Sequence, residues 1–434
     1  MNILLIGSGA REHAIARAIR RSPQETNIFC FGSSRNPGIF ELVHEYNFGS
    51  ITDIRAITNF ARKKNIDFAI VGPEAPLEVG IVDELKKINI PAVGPTKQLA
   101  QLETSKSFTR NLLKEFYIPG EPKFKYFNNL KGVREFLTEL NQLYVIKADG
   151  LMGGKGVKVS GDHLHSYEEA FEYCQELINI GCSFVIEEKF VGQEFSLMSF
   201  CDGENLAHMP AVQDHKRTFV DDQGSNTGGM GSYSDNNHKL PFLTDEDIKQ
   251  AHEINTSTAR ALYGKFSEGF KGILYGGFMI TKNGVKLIEY NARFGDPECE
   301  NILPILKTDF VTICQAIISG NLDKINVEFI NKATVCKYAV PNGYPDNPVK
   351  NQKIDTSAVH DKNCLYYASV DAREDGLYET GSRTIAVVGI GDNLEEAERI
   401  AEEEICRIKG PLFHRKDIGT EKLIRKKIEM VNNL

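Results

Sequence analysis

The sequence contains no Cys-x-x-Cys pair, although it holds nine cysteines. An odd number of loosely spaced thiols fits a reducing compartment better than a disulfide framework or a zinc site. It has no His-Glu-x-x-His, and its ten histidines form no ligand array. No stretch approaches 18 apolar residues, so no membrane span is expected. The N-terminus runs Met1-Asn2-Ile3-Leu4-Leu5-Ile6-Gly7 straight into a strand pattern, without the basic segment and long apolar core of a signal peptide. There is no basic arm to neutralise phosphates along a duplex, and the formal charge of −8 argues against nucleic-acid binding. The clusters Arg415-Lys416 and Arg425-Lys426-Lys427 read as solvated faces of a helical C-terminus. Internal repeats and low-complexity tracts are absent as well. The expected setting is cytoplasmic, with neither nucleic acid nor membrane as partner, and the chain is expected to be a monomer.

What is present is enough for a large core, since 41% of the residues are hydrophobic and the length corresponds to about three domains. From Asn2 to Gly94 strand and helix alternate. Strands fall at Ile3 to Ile6, Ile28 to Phe31 and Phe68 to Val71, and helices at Arg11 to Arg21, Ile54 to Lys64 and Val79 to Ile88. Such alternation predicts a parallel sheet covered by helices, with ligands at the carboxyl ends of its strands, where Gly7-Ser8-Gly9 and Gly72-Pro73-Glu74 fall. Lys97 to Phe116 reads as one helix. After Pro119 and Pro122 a small α+β unit is expected, inserted into a larger one that resumes at Glu194 and runs to about Leu322. A third unit begins near Ala333, with strands at Thr334 to Val340 and Arg383 to Val388 and a helix near Asn393 to Ile408. The fold class is therefore multidomain α/β and α+β.

The most informative stretch is Val285 to Pro304. Gly272 to Ile280 is apolar, Thr281-Lys282-Asn283-Gly284 carries the Asn-Gly hairpin signal, and the return strand places Glu289 and Asn291 two residues apart. Acidic and amide oxygens on one face, followed by Arg293, Asp296 and Glu298, suit a magnesium-polyphosphate site, because Mg²⁺ takes few protein oxygens and completes its shell with water and phosphate. A polar hairpin end without a ligand is the plainer reading. Ala148 to Val157 has four glycines in seven positions between two strands. No Lys-Ser/Thr pair follows to open a helix, so it is not a P-loop; it reads either as a plain flexible turn or as a flap over a triphosphate. Lys147, between apolar neighbours, has reason to be half-buried if it pairs with phosphate. Gly7-Ser8-Gly9-Ala10-Arg11-Glu12 lacks the third glycine of the dinucleotide fingerprint and leaves free amides at a helix start, a seat for one phosphate or only a tight turn. No Ser-His-Asp or Cys-His arrangement is apparent.

Seven segments together resemble the phosphoribosylamine–glycine ligase family, also called glycinamide ribonucleotide synthetases, of the ATP-grasp superfamily. They are Gly7 to Ala14, Val71 to Leu77, Ile146 to Gly150, Gln213 to Arg217, Asn226 to Gly231, Arg293 to Glu298 with Glu300 and Pro304, and Arg415 to Gly419, in the family's order. The resemblance implies an N-terminal parallel α/β domain (1–103), an ATP-grasp domain (104–328) with an inserted lid at about 122–192, and a small C-terminal α+β domain (329–434). It implies ATP as co-substrate, Mg²⁺ or Mn²⁺, and the substrates glycine and 5-phosphoribosylamine. The metal goes to Glu289 and Asn291. Triphosphate contacts go to Lys106, Lys147 and the lid at Gly153, Gly154, Lys155 and Gly156, and adenine and ribose to Glu187, Glu188, Phe190 and Glu194. Arg293, Asp214 and Lys216 are expected in catalysis, and Gly9, Arg11, Glu12, Pro73, Glu74 and Asp296 in substrate binding. Ala10, Met152 and Lys189 depart from the family's usual residues. No acid stands beside Gly276-Gly277, which leaves a leaner metal site. A related carboxylate–amine ligase would keep the metal hairpin without the Gln213 and Asn226 clusters; a non-catalytic nucleotide-binding protein would have lost Glu289, Asn291 or Lys147.

Overall fold

The computed structural model describes residues 1–151 and 156–434. The first elements are β1 (Asn2–Ile6), α1 (Ala10–Arg20), β2 (Asn27–Gly32), α2 (Pro37–Phe40), β3 (Glu45–Phe48), α3 (Ile54–Lys63), β4 (Phe68–Val71), α4 (Glu74–Val79), α5 (Ile81–Lys87) and β5 (Ala92–Val93). The strands form a parallel sheet in the order β3-β2-β1-β4-β5. All four residues of β4 are buried, as a strand covered on both faces must be. The turns after β1 and β4 lie side by side where the winding reverses, the usual place for a ligand crevice. The edge strand β3 has no sequence signal, because Glu-Tyr-Asn-Phe is only half-buried.

The helix expected over Lys97 to Phe116 is two helices, α6 (Lys97–Thr104) and α7 (Lys106–Glu115). Ser105 breaks them with an extended backbone (φ −137°, ψ 113°), and its Oγ accepts from the Phe108 N–H at 3.1 Å. Asp149 holds the break, accepting from Ser105 Oγ at 3.1 Å and the Ser107 N–H at 3.2 Å. Side-chain bonds of this kind compete with helix continuation.

The inserted unit comprises β6 (Phe124–Phe127), α8 (Val133–Glu139), β7 (Tyr144–Ala148), β8 (Val157–Val159), α9 (Tyr167–Asn179) and β9 (Phe184–Glu188). Its antiparallel sheet β6-β9-β7-β8 and two helices enclose a hydrophobic core of their own. The glycine-rich turn joins β7 to β8; Met152 to Lys155, and with them the expected contacts Gly153, Gly154 and Lys155, lie outside the described residues.

The chain continues through β10 (Gln193–Gly203), β11 (Leu206–His208), β12 (Gln213–Asp214), β13 (Arg217–Phe219), β14 (Gln223–Asn226), β15 (Gly231–Ser234), α10 (Asp245–Phe266), β16 (Phe270–Thr281) and β17 (Gly284–Asn291). A second antiparallel sheet runs β11-β10-β16-β17. After α11 (Glu298–Ile302) and α12 (Phe310–Ser319) come β18 (Ala333–Pro341), β19 (Lys353–Ile354), β20 (Leu365–Tyr367), β21 (Val370–Arg373), β22 (Gly376–Glu379), β23 (Ile385–Gly391), α13 (Leu394–Ile405), β24 (Leu412–Phe413) and α14 (Glu421–Asn432). The sheet of the third unit runs β12-β15-β18-β23-β20, so it takes in two strands from earlier in the chain; one hydrophobic core runs from Ile3 to Ile424, and a smaller one about Leu365 and Ile385 lies within the third unit. Among the described residues no helix is long and apolar enough to cross a membrane, and all nine cysteines are free.

The hairpin β16–β17 forms at the expected place, but only Gly284 of the Asn-Gly pair takes positive φ, at 82°. One further feature decides the chemistry. Phe278 pairs with Leu287 and Gly277 with Glu289, so Ile288 is an extra residue, a β-bulge. Before it, Val285 and Leu287 point into the core; after it, Tyr290 does, and Glu289 and Asn291 are only half-buried. Strict alternation would have put Glu289 on the core face with Val285 and Leu287. The bulge turns both oxygen-bearing side chains out of the core.

Candidate active site

A small pocket of about 20 Å³ lies over β17, walled by Glu194, Asp214, Lys216, Tyr275, Ile288 and Glu289 among others. Lys216 Nζ stands 3.8 Å from Glu194 Oε2 and 3.9 Å from Glu289 Oε1, so one ammonium sits between two carboxylates from different strands. Burial pushes the Glu289 carboxyl up, but Lys216, Lys147, Lys106 and Arg293 outweigh it and hold the group below its usual value, hence ionised. Asp214 behaves oppositely: burial and then Glu298 raise its carboxyl well above the ordinary range. Tyr275, beside the glycine pair that lacks an acid, donates to Glu298 Oε1 at 2.7 Å. A larger groove of about 460 Å³ lies along α14 and contains none of the expected residues.

Lys147 and Lys106 are held by partners the sequence does not announce. Lys147 is buried, donates to the carbonyl of the bulged Ile288 at 3.0 Å and pairs with Glu187. Glu187 in turn accepts from Arg110 Nε at 2.7 Å and Nη2 at 3.1 Å. Its carboxylate is therefore engaged inside the protein, whereas the adenine contact expected of this stretch is through a backbone carbonyl and N–H. Glu188 is also engaged, accepting from the Lys123 N–H at 2.9 Å; Phe190 is half-buried and Glu194 exposed. Lys106 Nζ donates to the Gly150 carbonyl at 2.9 Å, which ties α7 to the start of the glycine-rich turn; Gly156 lies at its far end.

Arg293 is the meeting point of the N-terminal sheet and the hairpin. Its guanidinium reaches Glu74 Oε2 at 3.3 Å, Glu103 Oε1 at 3.0 Å and Asn291 Oδ1 at 3.2 Å. Glu103 also accepts from the Ala292 N–H at 2.7 Å, fixing the end of β17. Asp296 is held by the third unit: Tyr338 Oη donates to its Oδ1 at 2.7 Å and Arg383 Nη1 lies 3.0 Å from the same oxygen. All three units thus converge on residues 291–298.

The first turn needs a correction. One of its amides is not free, because the Gly9 N–H donates to Glu12 Oε2 at 2.6 Å while Arg11 Nε holds Oε1 at 2.7 Å. The Glu12 carboxylate places a negative charge at this helix start, which disfavours a second anion beside it. The glycines make room for that carboxylate: a Cβ on Gly7 (φ +120°) would lie 2.7 Å from Glu12 Cγ, and one on Gly72 would strike Oε1. Pro73 N-caps α4 at the same edge and lies against Gly7. Arg11 also donates to the Phe294 carbonyl at 3.2 Å, joining this edge to the hairpin's exit.

Arg110, Glu103, Tyr275 and Arg383 are given no role by the sequence. A single Arg in a helix or loop reads as solvated, and nothing in its spacing signals burial.

Comparison with known proteins gives a consistent result. Models of phosphoribosylglycinamide synthetase match in three parts: the N domain over residues 1–103, the ATP-grasp (A) domain over 104–299 and the C domain over 334–421. The chain is 50% identical to the phosphoribosylamine–glycine ligases of Methanococcus maripaludis and Methanocaldococcus jannaschii, covering 100% of both chains in each pair. Among solved structures, the phosphoribosylamine–glycine ligase of Thermotoga maritima superposes with a TM-score of 0.81 at 27% identity, over 96% of this chain and 100% of that one. An N5-carboxyaminoimidazole ribonucleotide synthetase, in an ADP complex, shares the fold at a TM-score of 0.64 and 16% identity, over 93% of this chain and 96% of that one.

Proposed function

The chain belongs to the phosphoribosylglycinamide synthetase family, and on that premise we propose how it works as an ADP-forming carbon–nitrogen ligase of purine biosynthesis, joining glycine to 5-phosphoribosylamine. Carboxylates are poor electrophiles, so glycine must be activated. A glycine carboxylate oxygen attacks the γ-phosphorus of ATP, the bond to the β,γ-bridging oxygen breaks, and ADP leaves. The amine of phosphoribosylamine then attacks the carbonyl carbon of glycyl phosphate and phosphate departs, carrying one oxygen that began in glycine. The observation behind this route is the cleft itself, where Lys216, Lys147, Lys106 and Arg293 surround Glu289. Positioning and charge neutralisation are what phosphoryl transfer requires.

In this reading Lys147 and Lys106 hold the triphosphate, and Arg293, fixed by Glu74, Glu103 and Asn291, faces the charge that develops in transfer. Asp214 and Lys216, in the same pocket as Glu289, are assigned to catalysis beside the reacting groups. Glu289 and Asn291 would hold Mg²⁺ or Mn²⁺. The donor set fits, since an ionised carboxylate and an amide oxygen share one face of β17 and hard oxygen donors suit such ions. The ion would supply neutralisation of phosphate charge. Glu12 and Glu74, beside the first turn, take the hydroxyl and amine side of the ribosylamine. Gly9 and Pro73 shape that turn, and Arg11 and Asp296 act through the contacts that join it to residues 291–298. In the same reading the chain acts on small molecules as a cytoplasmic monomer. Glycine labelled with ¹⁸O in its carboxylate tests the route: one label should appear in the released phosphate. Unlabelled phosphate would exclude glycyl phosphate.

A further inference from the structure

The face of the third unit opposite β23's partner strands carries chemistry the ligase reaction does not use. Glu402 and Cys406 lie one turn apart on α13 and just beyond its end, and His414 follows β24. Among the described residues these three alone form a group of His, Cys, Asp or Glu ligand atoms lying within 4.8 Å of one another. His414 Nε2 is 3.2 Å from Glu402 Oε1 and 3.1 Å from its Oε2, and Cys406 Sγ is 3.6 Å from Oε1.

We propose that Glu402, Cys406 and His414 form a binding site for a thiophilic divalent cation, zinc by its donor set. Tetrahedral zinc with bonds of about 2.0–2.3 Å spaces its ligand atoms about 3.3–3.7 Å apart, so the carboxylate's distances to imidazole and thiol already match. A thiolate, a carboxylate and a neutral imidazole balance the charge of the ion and leave a fourth position for water. Outer support is built in. Lys337, fully buried, donates to Glu402 Oε2 at 2.7 Å, to Glu398 Oε1 at 2.7 Å and to the Lys416 carbonyl at 3.0 Å. It therefore holds the carboxylate in place through Oε2, while Oε1 faces both Cys406 and His414, as an outer-shell partner orients a metal ligand. The soft sulfur separates this site from the all-oxygen one at Glu289, which favours Mg²⁺ or Mn²⁺. An ion here would clamp the end of α13 to the segment after β24.

The test uses the full chain, stripped with a chelator and titrated with Zn²⁺ against a chromophoric competitor, then with Co²⁺. Cobalt should bring a thiolate-to-metal charge-transfer band, and excess Mg²⁺ should not abolish it. Cys406→Ser should remove the band, and both Cys406→Ser and His414→Gln should weaken zinc binding by more than roughly tenfold, the lower limit for loss of a mere outer-shell partner. Cys406 is exposed, so its replacement leaves the core intact; unchanged far-ultraviolet circular dichroism confirms that. No thiolate band with Co²⁺, or equal zinc affinity in wild type and Cys406→Ser, overturns the proposal.

Discussion

Arg110 grips Glu187 from both sides of its guanidinium, Nε to Oε2 at 2.7 Å and Nη2 to Oε1 at 3.1 Å, in the interior between α7 and β9. The same side chain donates to the carbonyls of Leu287 at 3.2 Å and Ile288 at 2.5 Å, the bulged residue of β17 and the one before it. One buried cation thus fixes both the partner of Lys147 and the bulge that aims Glu289.

Replacing Arg110 with Met should leave a buried carboxylate short of a partner, which costs about 3–5 kcal/mol. It should also raise the KM for Mg-ATP, because Lys147 would be drawn to Glu187 alone. Adding Glu187→Met should not restore the stability, because buried Lys147, which pairs with Glu187, would then be the uncompensated charge. Urea denaturation of the two variants checks this; a single variant within about 0.5 kcal/mol of wild type would reduce the pair to a surface-like contact.

Glu289→Gln keeps the shape and removes the charge. Loss of one such contact in a transition state is worth about 3 kcal/mol, roughly a hundredfold in turnover. The defect should be largest at low Mg²⁺. ADP release measured across a magnesium titration reads it, and wild-type turnover at low Mg²⁺ would place the metal elsewhere.

A pH signature is expected at Glu402. Burial pushes this carboxyl up, but its bond to His414 and the Lys337 ammonium outweigh it and hold it at about 2, against an ordinary 4.5. A depressed carboxyl contributes stability above its unfolded pKa and loses it as pH falls through the folded value. In metal-free protein the stability gap between wild type and Glu402→Gln should therefore be constant above about pH 5 and close between pH 4.5 and 2. A gap that stays constant down to pH 2 would show that the carboxylate is not specifically stabilised.

Much of this was legible in the residues. Four buried apolar residues in β4 read as a covered parallel strand, and Asn283-Gly284 placed a hairpin correctly, because local pattern and turn chemistry agree there. The sequence could not show that Ile288 bulges, since a register shift depends on the partner strand. It was nevertheless two-residue spacing after the bulge that kept Glu289 and Asn291 on one face. Ser105 broke a helix that propensity would continue, because Asp149, remote in sequence, competes for its bonds. Glu12 placed its carboxylate at the first turn, a consequence of side-chain reach that no spacing rule records. Arg110 and Glu103 were invisible for the same reason: burial of a charge depends on partners found only in three dimensions. That earlier strands extend the sheet of the third unit was not legible, because β15 is short and lies more than ninety residues before β18, which it joins.

The most direct test of the central claim is ADP release with each substrate omitted in turn, with phosphoribosylamine generated in place because it is unstable. Release should require ATP, glycine and phosphoribosylamine together. Little release is expected without the amine, because an enclosed site keeps water off glycyl phosphate. Equal ADP release with alanine in place of glycine, or without any amine acceptor, would contradict the account.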